Sequence, residues 1–262
     1  MTDDAAALLA AYDAQLRGAA EVQGAQSWDR SGPLWRAVFS SSGFVSYETL
    51  EGIADVDALI AETVDFFAGN PAMQEFEWKT RGHDWPPDLG RRLESHGLVP
   101  EEPETVMVGE AAALAVDVEL PAGVTIRRVD LLPEREALVT EASAVAAEIF
   151  GGGPSGEEML DRLDRMQGLE QFWVAESAGH VICSGRLAIV EGTEFAGIWG
   201  GSTLPQWRGK GIYRALTAAR AQAALAAGVR LINSDCTVMS RPILERAGLV
   251  AVTTSTPYVW HR

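Results

Sequence analysis

Apolar residues recur at helical spacing in residues 3–23 (DDAAALLAAYDAQLRGAAEVQ), with Ala7, Leu8, Tyr12 and Leu16 on one face. The spacing predicts a helix there. Residues 43–50 read as a strand, and 55–68 (DVDALIAETVDFFA) as a helix stopped by Gly69-Asn70-Pro71. A short strand at 75–79, the loop RGHDWPPD, a helix at 87–96 ending at Gly97 and a strand at 104–109 complete this half. Residues 110–122 form a connector closed by Pro121 and Gly123.

Beyond it the pattern is better formed. A strand (VTIRRVD) leads into a helix at 133–149, the loop GGGPSG and a helix at 155–167, opened by Ser155 with Glu158 three residues on in capping-box spacing. Three strand patterns follow: QFWVAES, HVICSGRLAIVEG and EFAGIWGGSTL. The segment LPQWRGKGIYRALTAARAQAALAAG (204–228) predicts a helix of about two dozen residues ending at Gly228. VRLINSDC then reads as a strand, SRPILERAG as a short helix, and LVAVTTSTPYVW as a strand broken at Pro257.

One similarity repeats at a fixed offset. LESHGLV (93–99) and LERAGLV (244–250) match at Leu, Glu, Gly, Leu and Val, and the register carries on ungapped from Thr105 to Thr256 and from Val108 to Val259. A helix, a glycine stop and a strand recur, so the chain reads as two related α/β halves, 1–115 and 122–262, the second better formed. The fold class expected from the pattern is α/β.

The chain has 262 residues, 47% hydrophobic and 22% charged, the balance of a soluble globular protein. No apolar run approaches the roughly 20 residues a spanning helix needs, and the N-terminus MTDDAAALLA is acidic where a secretory signal would be basic. A cytoplasmic protein is expected, with Cys183 and Cys236 as free thiols. Four scattered histidines (His83, His96, His180, His261) offer no metal spacing. With 37 acids against 21 bases and a formal net charge of −16, non-specific nucleic-acid binding is disfavoured.

Against that charge, Arg208, Gly209, Lys210 and Gly211 stand where a strand hands over to a helix. Such a turn suits an anion: the first helical amides lack internal partners and glycines allow close backbone approach. A Walker A loop would need Gly at 204 and Ser or Thr at 211, where Leu204 and Gly211 stand. A dinucleotide GxGxxG loop would need Gly at 214, where Arg214 stands. Gln206, Gly209 and Gly211 do fill the pattern [Gln/Arg]-x-x-Gly-x-[Gly/Ala].

With the surrounding order of elements and the tail SRPILERAGL, residues from about 124 to 260 resemble the GCN5-related N-acetyltransferase superfamily, which implies a mixed, mostly antiparallel central sheet flanked by helices. In the first half, FEWKTRGHDWPPDLGRRLESHGL looks like a decayed version of the same C-terminal elements, which implies a tandem arrangement. The resemblance implies that acetyl-CoA binds at the loop through the backbone from Arg208 and Gly209 through Lys210, Gly211 and Ile212 to Tyr213, with charge from Arg208 and Lys210. It implies that the strand carrying Gly201, Ser202 and Thr203 pairs with the pantetheine arm, which Thr237 and Ser240 also touch. An N–H near Trp199 or Gly200 would polarise the thioester carbonyl. Gly200-Gly201 reads as a bulge or as simple packing under Trp199.

The implied reaction is direct acetyl transfer to a primary amine of a small molecule or a peptide N-terminus. The sequence departs from the family at Leu244, where a tyrosine acid is usual, and FAGIWGGSTL lacks the glutamate base often found there. Asp235 is the candidate base or amine-binding group, or else a helix-approach cap. Ser240 also suits an N-cap, Tyr213 and Tyr258 are candidate acids or buried aromatics, and Cys236 has no histidine nearby in sequence to activate it. Trp28, Trp35, Trp78 and Trp85 pack a core or cover a cleft, and GGGPSG is a mobile lid or a plain connection. Two other readings remain: a non-catalytic acyl-CoA-binding or regulatory module, and a structural pseudo-dimer. The chain would be a monomer containing that pseudo-dimer, or a homodimer.

Overall fold

The N-terminal amphipathic pattern forms α1 (Asp3–Leu16), which buries Ala5, Tyr12 and Leu16. It is shorter than the 3–23 expected, because Gly18 turns the backbone to φ +67° and a single 3-10 turn (Gly18–Val22) follows. The structure, a computed structural model, describes residues 3–262. Two units emerge: one holds the chain up to Met107 with Asp235–Arg241 and Ala251–Arg262, the other Val108–Ser234 with Pro242–Val250.

In the first unit, β1 (Ser27–Ser31), β2 (Leu34–Phe39) and β3 (Ser42–Ser46) form an antiparallel meander. Helix α2 (Val56–Ala68) then crosses to β4 (Glu75–Arg81), which pairs parallel with β3. After α3 (Leu89–Ser95) come β5 (Val99–Pro100) and β6 (Glu104–Glu110). The core beneath this sheet includes Leu34, Tyr47, Ile60, Phe67, Phe76, Trp78 and Leu93, with Phe67 and Phe76 stacked at 4.5 Å. Trp78 is fully buried, whereas Trp28 and Trp85 are exposed and the Trp28 ring lies 4.8 Å from that of Trp35.

The second unit opens with a helical turn, α4 (Ala111–Leu114), inside the expected connector. Strand β7 (Val124–Arg128), helices α5 (Arg135–Phe150) and α6 (Gly156–Arg165), and strands β8 (Glu170–Ser177), β9 (His180–Ile189) and β10 (Phe195–Thr203) follow the predicted order. The Ser155–Glu158 capping box forms at the start of α6. Strands β7 to β10 are antiparallel neighbours. Helix α7 (Ile212–Ala226) crosses to β11 (Leu231–Cys236), which pairs parallel with β10. Helix α7 has 15 residues rather than about two dozen, because the loop before it holds two left-handed glycines. Each unit therefore has a mixed, mostly antiparallel sheet flanked by helices, with one parallel strand–helix–strand passage.

Helix α8 (Arg241–Arg246) and β12 (Val250–His261) end the chain. The break expected at Pro257 is absent. Proline lacks an amide donor, but Pro257 sits opposite Lys79 in the antiparallel β12–β4 ladder and its carbonyl accepts from Glu101 N at 2.9 Å. The repeated helix–Gly–strand motif is also repeated in geometry. Leu98 N donates to Leu93 O at 3.1 Å and Leu249 N to Leu244 O at 3.0 Å. The intervening Gly97 and Gly248 take φ +88° and +107°, and all four leucines are buried. These are two Schellman closures built from equivalent residues.

Candidate functional site

Strand β10 carries the first feature. Its antiparallel register with β9 shifts between Trp199 and Ser202, and Gly200 adopts φ +62°, so the bulge expected at Gly200-Gly201 is present. On its other side β10 pairs with β11 only from Phe195↔Leu231 to Gly197↔Asn233. Residues 199–203 therefore run past the end of that ladder, with backbone donors and acceptors set for an extended ligand. At the point of divergence Asn233 is buried, and its Oδ1 has no hydrogen-bond partner.

The turn from β10 into α7 is the second feature. A 3-10 turn (Pro205–Trp207) leads to Gly209 at φ +74° and Gly211 at φ +79°, a region that side-chain-bearing residues enter at a cost. Gly211 is the N-cap and makes no side-chain cap, so the N-cap position itself places no carboxylate or hydroxyl against the first-turn amides. Arg208 and Lys210 are exposed; Arg208 Nε donates to Thr203 O at 3.1 Å, and Lys210 Nζ lies 4.6 Å over the Trp207 ring. Two cations thus flank a helix terminus of positive dipole.

The equivalent turn in the first unit, from β3 into α2, is built the other way. Asp55 is the N-cap and its side chain accepts from Ala58 N at 2.9 Å, which places a carboxylate where a bound anion would sit. The segment between β3 and α2, YETLEGIAD, carries three acids and no base. One turn is open and cationic, the other sealed and anionic.

The other predicted cofactor residues contribute mainly backbone. Ser202 Oγ lies 2.9 Å from Ser184 Oγ, Thr203 Oγ1 lies 3.1 Å from Cys183 Sγ, and the Ile212 side chain is buried in the core with Leu216. The Tyr213 ring covers Gly201, whose α-carbon could not bear a β-carbon without meeting Tyr213 Cε2 at 2.5 Å. Trp199 packs instead over Gly197. Thr237 and Ser240 form one local turn, in which Ser240 N donates to Thr237 O at 3.2 Å.

Asp235, at the end of β11, caps no helix. Its side chain is 3% exposed, with Oδ2 2.5 Å from Lys79 Nζ and no donor on Oδ1. Lys79 belongs to a strand face that alternates Glu77, Lys79 and Arg81. Arg81 donates to Tyr12 Oη at 2.9 Å and to Glu21, while Glu21 accepts from Ser46 Oγ at 2.5 Å. Burial pushes Glu77 up to about 7, against the pull of Lys79 and with repulsion from Glu21 and Glu101. Burial raises Glu104 as well, aided by Asp235. Sequence reading missed this network, although FEWKTR places a charged residue at every second position.

Tyr258 is raised above its ordinary value by burial and by Glu94. Burial lifts the Cys183 thiol to about 11. Both cysteines are buried free thiols. Leu244 is 1% exposed and presents no polar group.

Two arginines, one buried and one half-buried, escaped the sequence reading. Arg220 of α7 is 1% exposed, yet Nη1 reaches the carbonyls of Arg186 at 3.0 Å and Trp199 at 3.5 Å, and Nη2 donates to Thr217 Oγ1 at 3.2 Å. It also hydrogen-bonds Tyr213; desolvation holds its pKa below the usual arginine value. The signal was its place on the apolar helix face after Ile212 and Leu216. Arg186 of β9 stands directly opposite Trp199 and pairs with Glu170, whose second oxygen accepts from Arg162 Nε at 2.5 Å.

The fold that carries this bulged strand, its parallel neighbour and the open glycine turn has solved counterparts. The chain is similar to a GCN5-related N-acetyltransferase from Kribbella flavida (19% identity, 97% of this chain and 93% of that one, TM-score 0.63). It is similar also to a tandem GNAT protein from the clavulanic acid biosynthesis pathway (14% identity, 88% and 81%, TM-score 0.64). A GCN5-related N-acetyltransferase from Sphaerobacter thermophilus aligns at 18% identity over 87% and 76% of the two chains, TM-score 0.63. No family model matches the chain, and no curated protein does. The likeness runs over most of the chain and establishes the fold, in its tandem form. No helix among the described residues is long and apolar enough to cross a membrane, and no group of metal-ligating residues occurs among them.

Proposed function

We propose that the protein is an acetyl-CoA-dependent N-acetyltransferase that moves an acetyl group to a primary amine of a small molecule or peptide N-terminus. The observation that carries this reading is the contrast between the two helix-opening turns. Gly211 leaves α7 uncapped beside Arg208 and Lys210, whereas Asp55 seals α2. The residues fit a pyrophosphate and a pantetheine arm: amides from Gly209 to Tyr213 for the diphosphate, the β10 edge from Gly201 to Thr203 for the arm, and Asn233 Oδ1 as acceptor for an amide N–H. When bound, acetyl-CoA supplies the activated acyl group. The bulge at Gly200 leaves backbone amides free of the β9 ladder, suited to stabilising developing negative charge on a carbonyl oxygen. Asp235, with Oδ1 unpartnered, is the group proposed to bind the acceptor ammonium or take its proton; Thr237 and Ser240 are proposed pantetheine contacts.

In descent we read the chain as two copies, 1–115 and 122–262, the first having lost its cofactor turn. Two buried free thiols fit a reducing cytoplasm.

The test is to mix protein, acetyl-CoA and an amine panel and follow thiol release, with calorimetry against CoA. Turnover supports the reading. A second reading rests on Leu244, buried and apolar where the resemblance implies a proton donor: a module that binds acyl-CoA without turning it over. Tight CoA binding with no turnover on any amine would favour it. Asp235→Asn should slow turnover far more than it changes CoA affinity, and unchanged activity would remove Asp235 from the mechanism.

A further inference from the structure

The group facing the bulge is Arg186, and its electrostatics are unfinished. Glu170 is fully buried on β8 and serves two guanidiniums, Arg186 through Oε1 and Arg162 of α6 through Oε2. One carboxylate against two guanidiniums leaves the trio with a charge of +1. Glu170 is held below the usual carboxylate range, since the two arginines outweigh the burial that would raise it. Arg186 moves the opposite way from a well-paired arginine: desolvation and the neighbouring Arg162 lower it despite Glu170.

Only one edge of Arg186 is occupied. Nη1 donates to Glu170, while Nε and Nη2 donate to no protein acceptor. Those two groups face the bulge: a β-carbon set on Gly200 would lie 3.6 Å from Nε and 4.0 Å from Nη2. Gly200 itself is exposed and the Arg186 side chain is 20% exposed, so that edge opens to solvent. The Nε–Nη2 edge of a guanidinium matches the two oxygens of a carboxylate or a similar oxyanion. In a chain of net charge −16, a half-buried cation with an open fork beside the bulge is poorly explained by packing alone.

We propose that Arg186 is a specificity-determining residue: its open edge binds an oxyanion carried by the acceptor amine, so the substrate class is amines that also bear a carboxylate or comparable group. The proposal rests on the acetyl-transfer reading only for the word acceptor; the oxyanion site stands on Arg186, Arg162 and Glu170. Arg162 and Glu170 position Arg186 and add to the field without touching the ligand.

The test compares β-alanine with its uncharged amide, 3-aminopropanamide, and adds taurine and 2-aminoethylphosphonate as other oxyanions. Wild-type protein should favour β-alanine over the amide by about tenfold or more in kcat/KM, the size of one bidentate charged contact. In Arg186→Gln that preference should vanish through KM, while CoA affinity and turnover of the amide stay near wild type. Arg186→Lys keeps a charge for Glu170 and should keep only a small part of the preference. Calorimetry with β-alanine provides a readout that needs no turnover: binding by wild type and none by Arg186→Gln supports the site. Equal handling of acid and amide by wild type, or an undiminished preference in Arg186→Gln, overturns it. Loss of CoA binding in wild type would sink the acetyl-transfer reading and leave the β-alanine titration to decide the oxyanion site alone.

Discussion

Replacing Gly209 by aspartate puts the proposed anion-binding turn to a quantitative test. The glycine is exposed, and a β-carbon there meets no atom within 4 Å, so the substitution has room and leaves the fold intact. Two costs remain. At φ +74° any L side chain is strained, by about 1 kcal/mol, and aspartate is among the residues that tolerate this region best. The carboxylate would then stand within a few ångströms of a bound diphosphate. Two unit charges 4 Å apart repel by about 1 kcal/mol in water and about 4 kcal/mol near a protein surface. At 1.4 kcal/mol per decade, CoA affinity should fall by roughly fivefold to a thousandfold.

Gly209→Asn separates the costs, sharing the shape and strain without the charge. By calorimetry against CoA, asparagine should cost no more than about tenfold, and the aspartate–asparagine gap should narrow as salt rises. Equal affinities for the two variants at low salt would mean that no phosphate sits at this turn, and the assignment of residues 208–213 would fail.

Other consequences can be measured on the free protein. Glu77, raised to about 7, binds its proton more tightly folded than unfolded, so its ionisation weakens the fold as pH climbs from about 4.5 through 7, by up to roughly 3 kcal/mol. Glu77→Gln should flatten that decline in denaturant melts at pH 5 and pH 8; an unchanged slope would refute it. Native protein at pH 8 should leave both thiols unreacted with iodoacetamide until denaturant is added, since Cys183 is raised to about 11 and both side chains are buried. Leu93→Ala and Leu244→Ala remove matching buried side chains, and each should cost about 2–5 kcal/mol. A loss under 1 kcal/mol at Leu244 would show that this position does not act as core.

What the sequence revealed follows where local chemistry dictates structure. Asp55, Ser155 and Gly97 are caps that act on their own neighbours, and the helices they bound lie within a few residues of expectation. Strands β1 and β2 were invisible because SWDRSGPLWRAVF breaks the apolar alternation with Asp29, Arg30 and Arg36. That polarity is resolved only by tertiary partners, as Arg36 bonds Asp29 at 2.6 Å and Glu62 at 3.2 Å. The open turn before α7 was legible from two glycines and two cations in order. Arg186, Glu170 and Lys79 were not, because each takes its role from a partner on another element: Glu170 from Arg186 on β9 and Arg162 on α6, and Lys79 from Asp235 at the end of β11. Asp235 stood out by its place after a strand, but its pairing with Lys79 did not.

Arg220 would give α7 a second task if the open turn before it anchors a ligand's charged tail as proposed. Eight residues separate Arg220 from Ile212, about 12 Å along the axis, so one rod carries that turn at its tip and a clamp on the Trp199 carbonyl further down. A tilt of the rod on loading its tip would then shift the bulged strand, and seating one end of a ligand would tune the other through a single guanidinium.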